Sequence, residues 1–150
     1  MKIRNIKESD YPVIDKMAME LQKLHVEQMG DVFKNTEHPY SYEEFLNCIG
    51  DSRIALIAEE EKNVLGYCLA NVFENPAFKD KTLHISDLFV YQHARHQGVA
   101  KALLDESVCR AKRLDAKRMQ LMVWSFNEEA RHLYESYGME IQSYNYGKKI

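Results

Sequence analysis

Polar and apolar residues alternate from Lys2 to Ile6, the period-two pattern of a strand with one covered face. Apolar residues then recur at Val13, Ile14, Met17, Ala18, Leu21 and Leu24, which predicts a helix running to about Met29. Ser9 and Asp10 offer N-cap oxygens, Pro12 fits the first turn, and Gly30 is the expected stop. Residues 31–40 are polar and end in Pro39-Tyr40, which predicts a loop. Ser41-Tyr42-Glu43-Glu44 has capping-box spacing and predicts a short helix through Ile49. Two strand-like runs follow, Arg53 to Glu59 and Val64 to Phe73, and the turn at 60–63 predicts an antiparallel hairpin. After a loop around Asn75-Pro76 comes a third run, Leu83 to Val90. From Gly98 to Leu114 the period becomes helical, with Val99, Leu103, Leu104, Val108, Ala111 and Leu114 on one face. Met119 to Trp124 is a further strand candidate. Asn127 opens a helix carrying Ala130, Leu133, Tyr134 and Tyr137, which Gly138 ends. The last twelve residues alternate weakly and predict an edge strand or a short hairpin. Such a mixed order predicts a single α/β domain with a partly antiparallel sheet flanked by helices, not a doubly wound parallel one.

Composition narrows the class. The 150 residues suit one domain with one ordinary core. With 45% hydrophobic and 29% charged residues, six Gly and three Pro, the chain fits neither disorder nor a collagen-like repeat. A net charge of −3 argues against a dedicated nucleic-acid binder. The cysteines, Cys48, Cys68 and Cys109, are odd in number and lack CxxC spacing. They are expected to be buried thiols in a reducing cytoplasm, without a disulfide framework or a zinc site. No apolar run is long enough for a membrane span, and the first ten residues lack a signal-peptide core.

The chemistry concentrates in Ser86-Asp87-Leu88-Phe89-Val90 and, four residues on, Arg95-His96-Gln97-Gly98-Val99-Ala100. A strand ends, a short loop turns, and a helix begins on small residues. Unpaired N–H groups and the helix dipole at such a junction form an anion site suited to a phosphate or pyrophosphate. Gly98 admits the backbone close to the ligand, while Arg95 and Lys101 bring full charges. As a six-residue pattern alone, it is equally a routine strand-to-helix turn.

R-x-x-G-x-A at 95–100 behind D-L-F-V resembles the acyl-CoA motif of the GNAT superfamily of N-acetyltransferases. A second block is similar to that family's N-x-x-A-x-x-x-Y-x-x-x-G-F: Asn127, Ala130, Tyr134 and Gly138, with Met139 in place of the usual aromatic. The blocks occur in the family's order with a strand between them. The good match covers 83–140; the first half agrees only in its order of elements. The resemblance implies that the parallel strands 83–90 and 119–124 splay apart and admit acetyl-CoA. Its pantetheine arm would pair with backbone at Leu88, Phe89 and Val90, and its pyrophosphate would sit on Gln97, Gly98, Val99, Ala100 and Lys101. Asn127 would help hold the arm, and Tyr134 would lie near the sulfur as general acid. Residues 1–50 and 141–150 become acceptor-side elements, and a homodimer is the family precedent.

Acetyl transfer also needs a base. His84 occupies a place where many relatives carry Glu, and its ordinary pKa suits the task. Asp87 is the other candidate, although plain alternation puts it on the face opposite His84 and Ser86 unless a bulge intervenes. An ordinary strand-surface histidine is the competing reading of His84, and a core aromatic that of Tyr134. His93 is expected to be a solvated loop residue, as is His96 unless it approaches a phosphate; His25 is expected to be structural or acceptor-side. No spacing of His, Cys or acids suggests a metal.

Charge divides at the motif. Residues 1–94 hold ten basic and sixteen acidic side chains, and 95–150 hold ten and seven. With Glu27, Asp31, Glu37, Glu43, Glu44 and the run Glu59-Glu60-Glu61, the first part predicts attraction of a cationic amine such as a polyamine, an aminoglycoside or a lysine side chain. A solvated acidic surface is the plainer meaning of such runs. A non-catalytic acyl-CoA-binding regulatory domain is the competing functional class.

Overall fold

The computed structural model describes all residues, 1–150. Five strands lie in sequential order: β1 (Lys2–Asn5), β2 (Arg53–Glu60), β3 (Asn63–Phe73), β4 (Thr82–Val90) and β5 (Arg118–Leu121). The first three pairings are antiparallel, and β4–β5 is parallel. Helices cover both faces, which is why β2 and β3 read as near-continuous apolar runs. On one face Ile54, Leu56, Cys68, Ala70, Leu83 and Ile85 pack with Val99, Leu103 and Leu104 of α3 (Val99–Arg113). On the other, Ala55, Ile57, Tyr67, Leu69 and Phe89 pack with Ile14 and Met17 of α1 (Tyr11–Gln28) and Phe45 of α2 (Tyr42–Cys48). A fourth helix, α4 (Glu128–Ser136), lays Tyr134 on the α3 side.

The helix signals fall close to their predicted places. Ser41 and Glu44 form the reciprocal capping box of α2, at 3.2 and 2.7 Å. Asp10 does not cap α1 with its side chain; its carboxylate instead accepts the Lys7 N–H and pairs with Arg4 at 2.8 Å, tying β1 to the start of the helix. Ser107 replaces an apolar residue on the inner face of α3, fully buried, with its hydroxyl donating to the Leu103 carbonyl at 2.8 Å. Leu114, predicted on that face, is exposed, and so is Cys109.

Two bulges depart from simple alternation. Ala58 pairs with Gly66 but Glu59 with Val64, leaving Leu65 as the extra residue. Leu69 pairs with Asp87 but Ala70 with Ile85, leaving Ser86 extra. The second bulge turns the rest of β4 over, so Asp87 joins Phe89 on the α1 face, which His84 shares. Without it, Asp87 would follow Leu83 and Ile85 into the α3 core.

The same bulge ends the pairing of β5. Thr82 to Ile85 pair with Arg118 to Leu121, and beyond Ile85 the two strands part. The strand predicted over 119–124 therefore stops at Leu121, because Met122 to Trp124 have no neighbouring ladder. The edge strand or hairpin predicted for the last twelve residues does not form. Ile141, Tyr144 and Tyr146 are exposed, and Gln142 meets β5 through a single side-chain hydrogen bond from Arg118 at 3.3 Å. No helix is long and apolar enough to cross a membrane.

Candidate active site

The parting of β4 from β5 opens a cleft of about 390 Å³. Its floor is His84 to Leu88 on β4 and Leu121 to Trp124 opposite. One wall is α1 with the following loop (Leu21, Gln22, His25, Phe33, Tyr40), and the other is Asn127, Ala130 and Tyr134 at α4. The cleft thus brings together His84, Asp87, Leu88, Asn127 and Tyr134 of the predicted site. Phe89 and Val90 point into the two cores and offer backbone only. Past Ile85, β4 keeps β3 on one side and has no strand on the other, so its second edge faces the opening.

Asp87 is the only carboxylate lining the cleft, which it shares with the imidazoles of His25 and His84. Its Oδ2 accepts hydrogen bonds from the Tyr40 hydroxyl at 2.6 Å and the Tyr67 hydroxyl at 3.2 Å. Burial raises its pKa above the ordinary carboxylate range, while the two phenols and the nearby His25 pull the other way. Tyr40 is itself held by the Tyr11 hydroxyl, which donates to its carbonyl at 2.9 Å. Burial and the adjacent Asp87 charge raise both phenols well above their usual range, so they remain donors. Neither tyrosine was identifiable in advance: Tyr40 ends a polar loop, and Tyr67 sits in an apolar run. His84, on the same face, has a buried Nδ1 with no hydrogen-bond partner, and its ring lies edge-on to Phe73.

Tyr134 faces these groups from the opposite wall. Burial pushes its phenol up to about 12, which keeps the hydroxyl protonated at neutral pH. Asn127 uses its Oδ1 to cap α4, accepting the Ala130 N–H at 3.2 Å. Cys68, with its pKa pushed up to about 12 chiefly by burial, has no character of a nucleophile.

From Val90 the chain passes through a 3-10 turn (Gln92–Ala94) to the start of α3. Gly98 is the N-cap at φ 80°, a left-handed conformation that glycine takes freely, and His96 adopts φ 60°. No backbone or side-chain acceptor takes the N–H groups of residues 96–101, leaving a row of donors at a helix N-terminus. Arg95 is turned inward: its Nε donates to the Val90 carbonyl at 3.0 Å, and its guanidinium pairs with Glu129 at 2.7 Å. Lys101 pairs with Asp105 one turn along. Both predicted cations are therefore partly neutralised by neighbouring acids.

The acids predicted to attract an amine do not reach the cleft. Glu44 caps α2, Glu59 pairs with Arg4, Glu60 pairs with the N-terminus, and Glu27, Asp31, Glu37, Glu43 and Glu61 are exposed elsewhere.

Comparison with known proteins bears on this arrangement. The sequence profile of the acetyltransferase (GNAT) family matches residues 18–139. The uncharacterized N-acetyltransferase YhfO of Bacillus subtilis strain 168 is 35% identical over 88 residues, 58% of this chain and 58% of that protein. The match therefore spans little more than half the length of that relative. The tetramutant of the BH1408 protein from Bacillus halodurans superposes over all of both chains with a TM-score of 0.93 at 24% identity. A ribosomal-protein-alanine N-acetyltransferase from Brucella melitensis biovar Abortus 2308 also covers both chains in full, with a TM-score of 0.74 at 16% identity. At these identities the likeness to the two structures is one of fold.

Proposed function

From the premise that the chain belongs to the GNAT family of acetyltransferases, we propose that it transfers an acetyl group from acetyl-CoA directly to a primary amine. The observation that carries this reading is the cleft itself. An unpaired edge of β4 runs between Asp87 and Tyr134 and leads, at its C-terminal end, to the free N–H row of residues 96–101. Acetyl-CoA supplies the activated thioester when bound. The donors of Gln97 to Lys101 would hold its pyrophosphate, and the backbone of Leu88 to Val90 its extended arm, much as an added strand is held. Asn127, which lines the same cleft, would help hold that arm.

On the acceptor side, Asp87 or His84 would take the proton from the incoming ammonium. Both lie on the α1 face of β4 within the cleft, and a carboxylate with a raised pKa or an imidazole suits proton transfer near neutral pH. A backbone N–H near Leu88 would donate to the negative oxygen that develops during transfer. Tyr134, protonated throughout the working range, would give its hydroxyl proton to the departing sulfur. Residues 83–140 form the cofactor half in this reading, and the α1–α2 region forms the acceptor half.

The test pairs calorimetric titration of acetyl-CoA with release of free thiol in the presence of a set of primary amines. Binding together with amine-dependent thiol release is expected, and Tyr134→Phe should lower kcat by about a hundredfold or more while acetyl-CoA still binds. Tight binding with no transfer to any amine would overturn catalysis and leave an acyl-CoA-binding domain.

A further inference from the structure

We propose that the acceptor is a compact monoamine with an aromatic or bulky apolar body, its nitrogen seated at Asp87 and its body against Phe33, Trp124 and His25. The inference rests on the acetyl-transfer reading above and concerns the acceptor half of the same cleft. Three observations carry it. The first is charge. Polyamines and aminoglycosides carry several ammonium groups, and each one taken from water needs a partner. The cleft offers one carboxylate, Asp87, and the other acids of the first ninety-four residues lie outside it.

The second observation is the wall that faces Asp87. Phe33 meets Trp124 edge-on at 4.9 Å between ring centroids, and His25 packs on Phe33 at 4.7 Å. Phe126 backs this group, stacked on Trp124 at 6.4 Å and edge-on to His25 at 5.7 Å. His25 is fixed through its Nδ1, 2.9 Å from the Leu21 carbonyl, so its ring is a wall rather than a free side chain. A cluster so braced presents ring surface, which takes up aromatic or aliphatic bodies and favours a single cation nearby. The third observation is size: about 390 Å³ must accommodate both the acyl end of the donor and the acceptor. That space suits a small molecule rather than a long polycation.

The test compares 2-phenylethylamine, ethylamine, spermidine and tobramycin as acceptors, with acetyl-CoA titration run in parallel. The expected result is a kcat/KM for 2-phenylethylamine at least about tenfold above each of the other three. Trp124→Ala and the milder Phe33→Leu should each shrink the preference for 2-phenylethylamine over ethylamine severalfold, mainly through KM. Retained acetyl-CoA binding by either variant certifies its fold. Preference for spermidine or tobramycin, or a preference ratio unmoved in a variant that binds acetyl-CoA, overturns the inference and leaves acetyl transfer standing. Absence of transfer to all four amines overturns acetyl transfer to amines and the inference with it.

Discussion

At Asp87 the fold sets desolvation against hydrogen bonding, and the balance can be read in both stability and rate. Its pKa is raised chiefly by burial, so between the ordinary carboxylate value and the raised one the native state holds a proton that the unfolded chain has lost. Stability contributed by the protonated carboxyl is therefore present at low pH and declines as pH rises through that window. Asp87→Asn keeps an acceptor for the Tyr40 hydroxyl and removes the buried charge. Its Tm should exceed that of the parent at pH 8 by more than it does near pH 4, while transfer falls by about a hundredfold or more if Asp87 is the base. Tyr40 and Tyr67 offer a finer probe. Each donates to Asp87 and favours its ionised form, and the Tyr40 bond is the shorter, 2.6 against 3.2 Å. Tyr40→Phe should move the acid limb of the kcat/KM profile to higher pH, and Tyr67→Phe should move it in the same direction by less. If His84 is the base instead, His84→Gln abolishes that limb and neither tyrosine variant shifts it.

Among the elements, the β2–β3 turn is strained in a way that function does not require. Glu61 and Lys62 both adopt positive φ, 49° and 70°, between Glu60 and Asn63, the shape of a two-residue hairpin turn that favours Asn-Gly. A non-glycine residue held left-handed costs roughly 1 kcal/mol. Replacing the pair with Asn-Gly should stabilise the domain by about 0.5–1 kcal/mol, a gain of a few degrees in Tm by calorimetry, with the transfer rate unchanged. The position of this turn was legible from the polar run between two apolar ones, as were α1, α2 and α3 from their period and caps. The bulge at Ser86 was not, because an extra residue in a ladder leaves no mark in the composition of one strand. Two consequences follow from that single residue. It brings Asp87 to the face of His84, the exception allowed to plain alternation, and the strand after Arg118 was predicted three residues too long because its partner turns away at Ile85. At 139–150 a weak alternation alone was no reason for a strand, since nothing in those residues supplies a covered face.

On the scale of the whole molecule, the division of charge at Arg95 does not gather acids in the cleft. The acids of the first part are spent on caps and ion pairs or stand in solvent, while the cleft keeps a single buried carboxylate. Gly98 was legible as the start of α3, whose free N–H row we propose as the anion site, because the N-cap there is left-handed. The aromatic wall was hidden because Phe33, Trp124 and His25 meet only after α1, its loop and the segment beyond β5 converge. These two halves should therefore respond differently to salt. Most of the residues with free donors at 96–101 are exposed, as is Lys101, so mobile ions would strongly screen the phosphate we propose there. Asp87 would meet the proposed amine inside the cleft, where screening is weak. Raising NaCl from about 0.05 to about 0.5 M shrinks the screening length roughly threefold. Over that range the acetyl-CoA dissociation constant should rise severalfold in calorimetry, whereas the KM for 2-phenylethylamine at saturating acetyl-CoA should stay within about twofold. A KM that climbed as steeply as the dissociation constant would place the acceptor's charge outside the cleft, among the acids of the surface, and would return the choice of amine to the field of the whole chain.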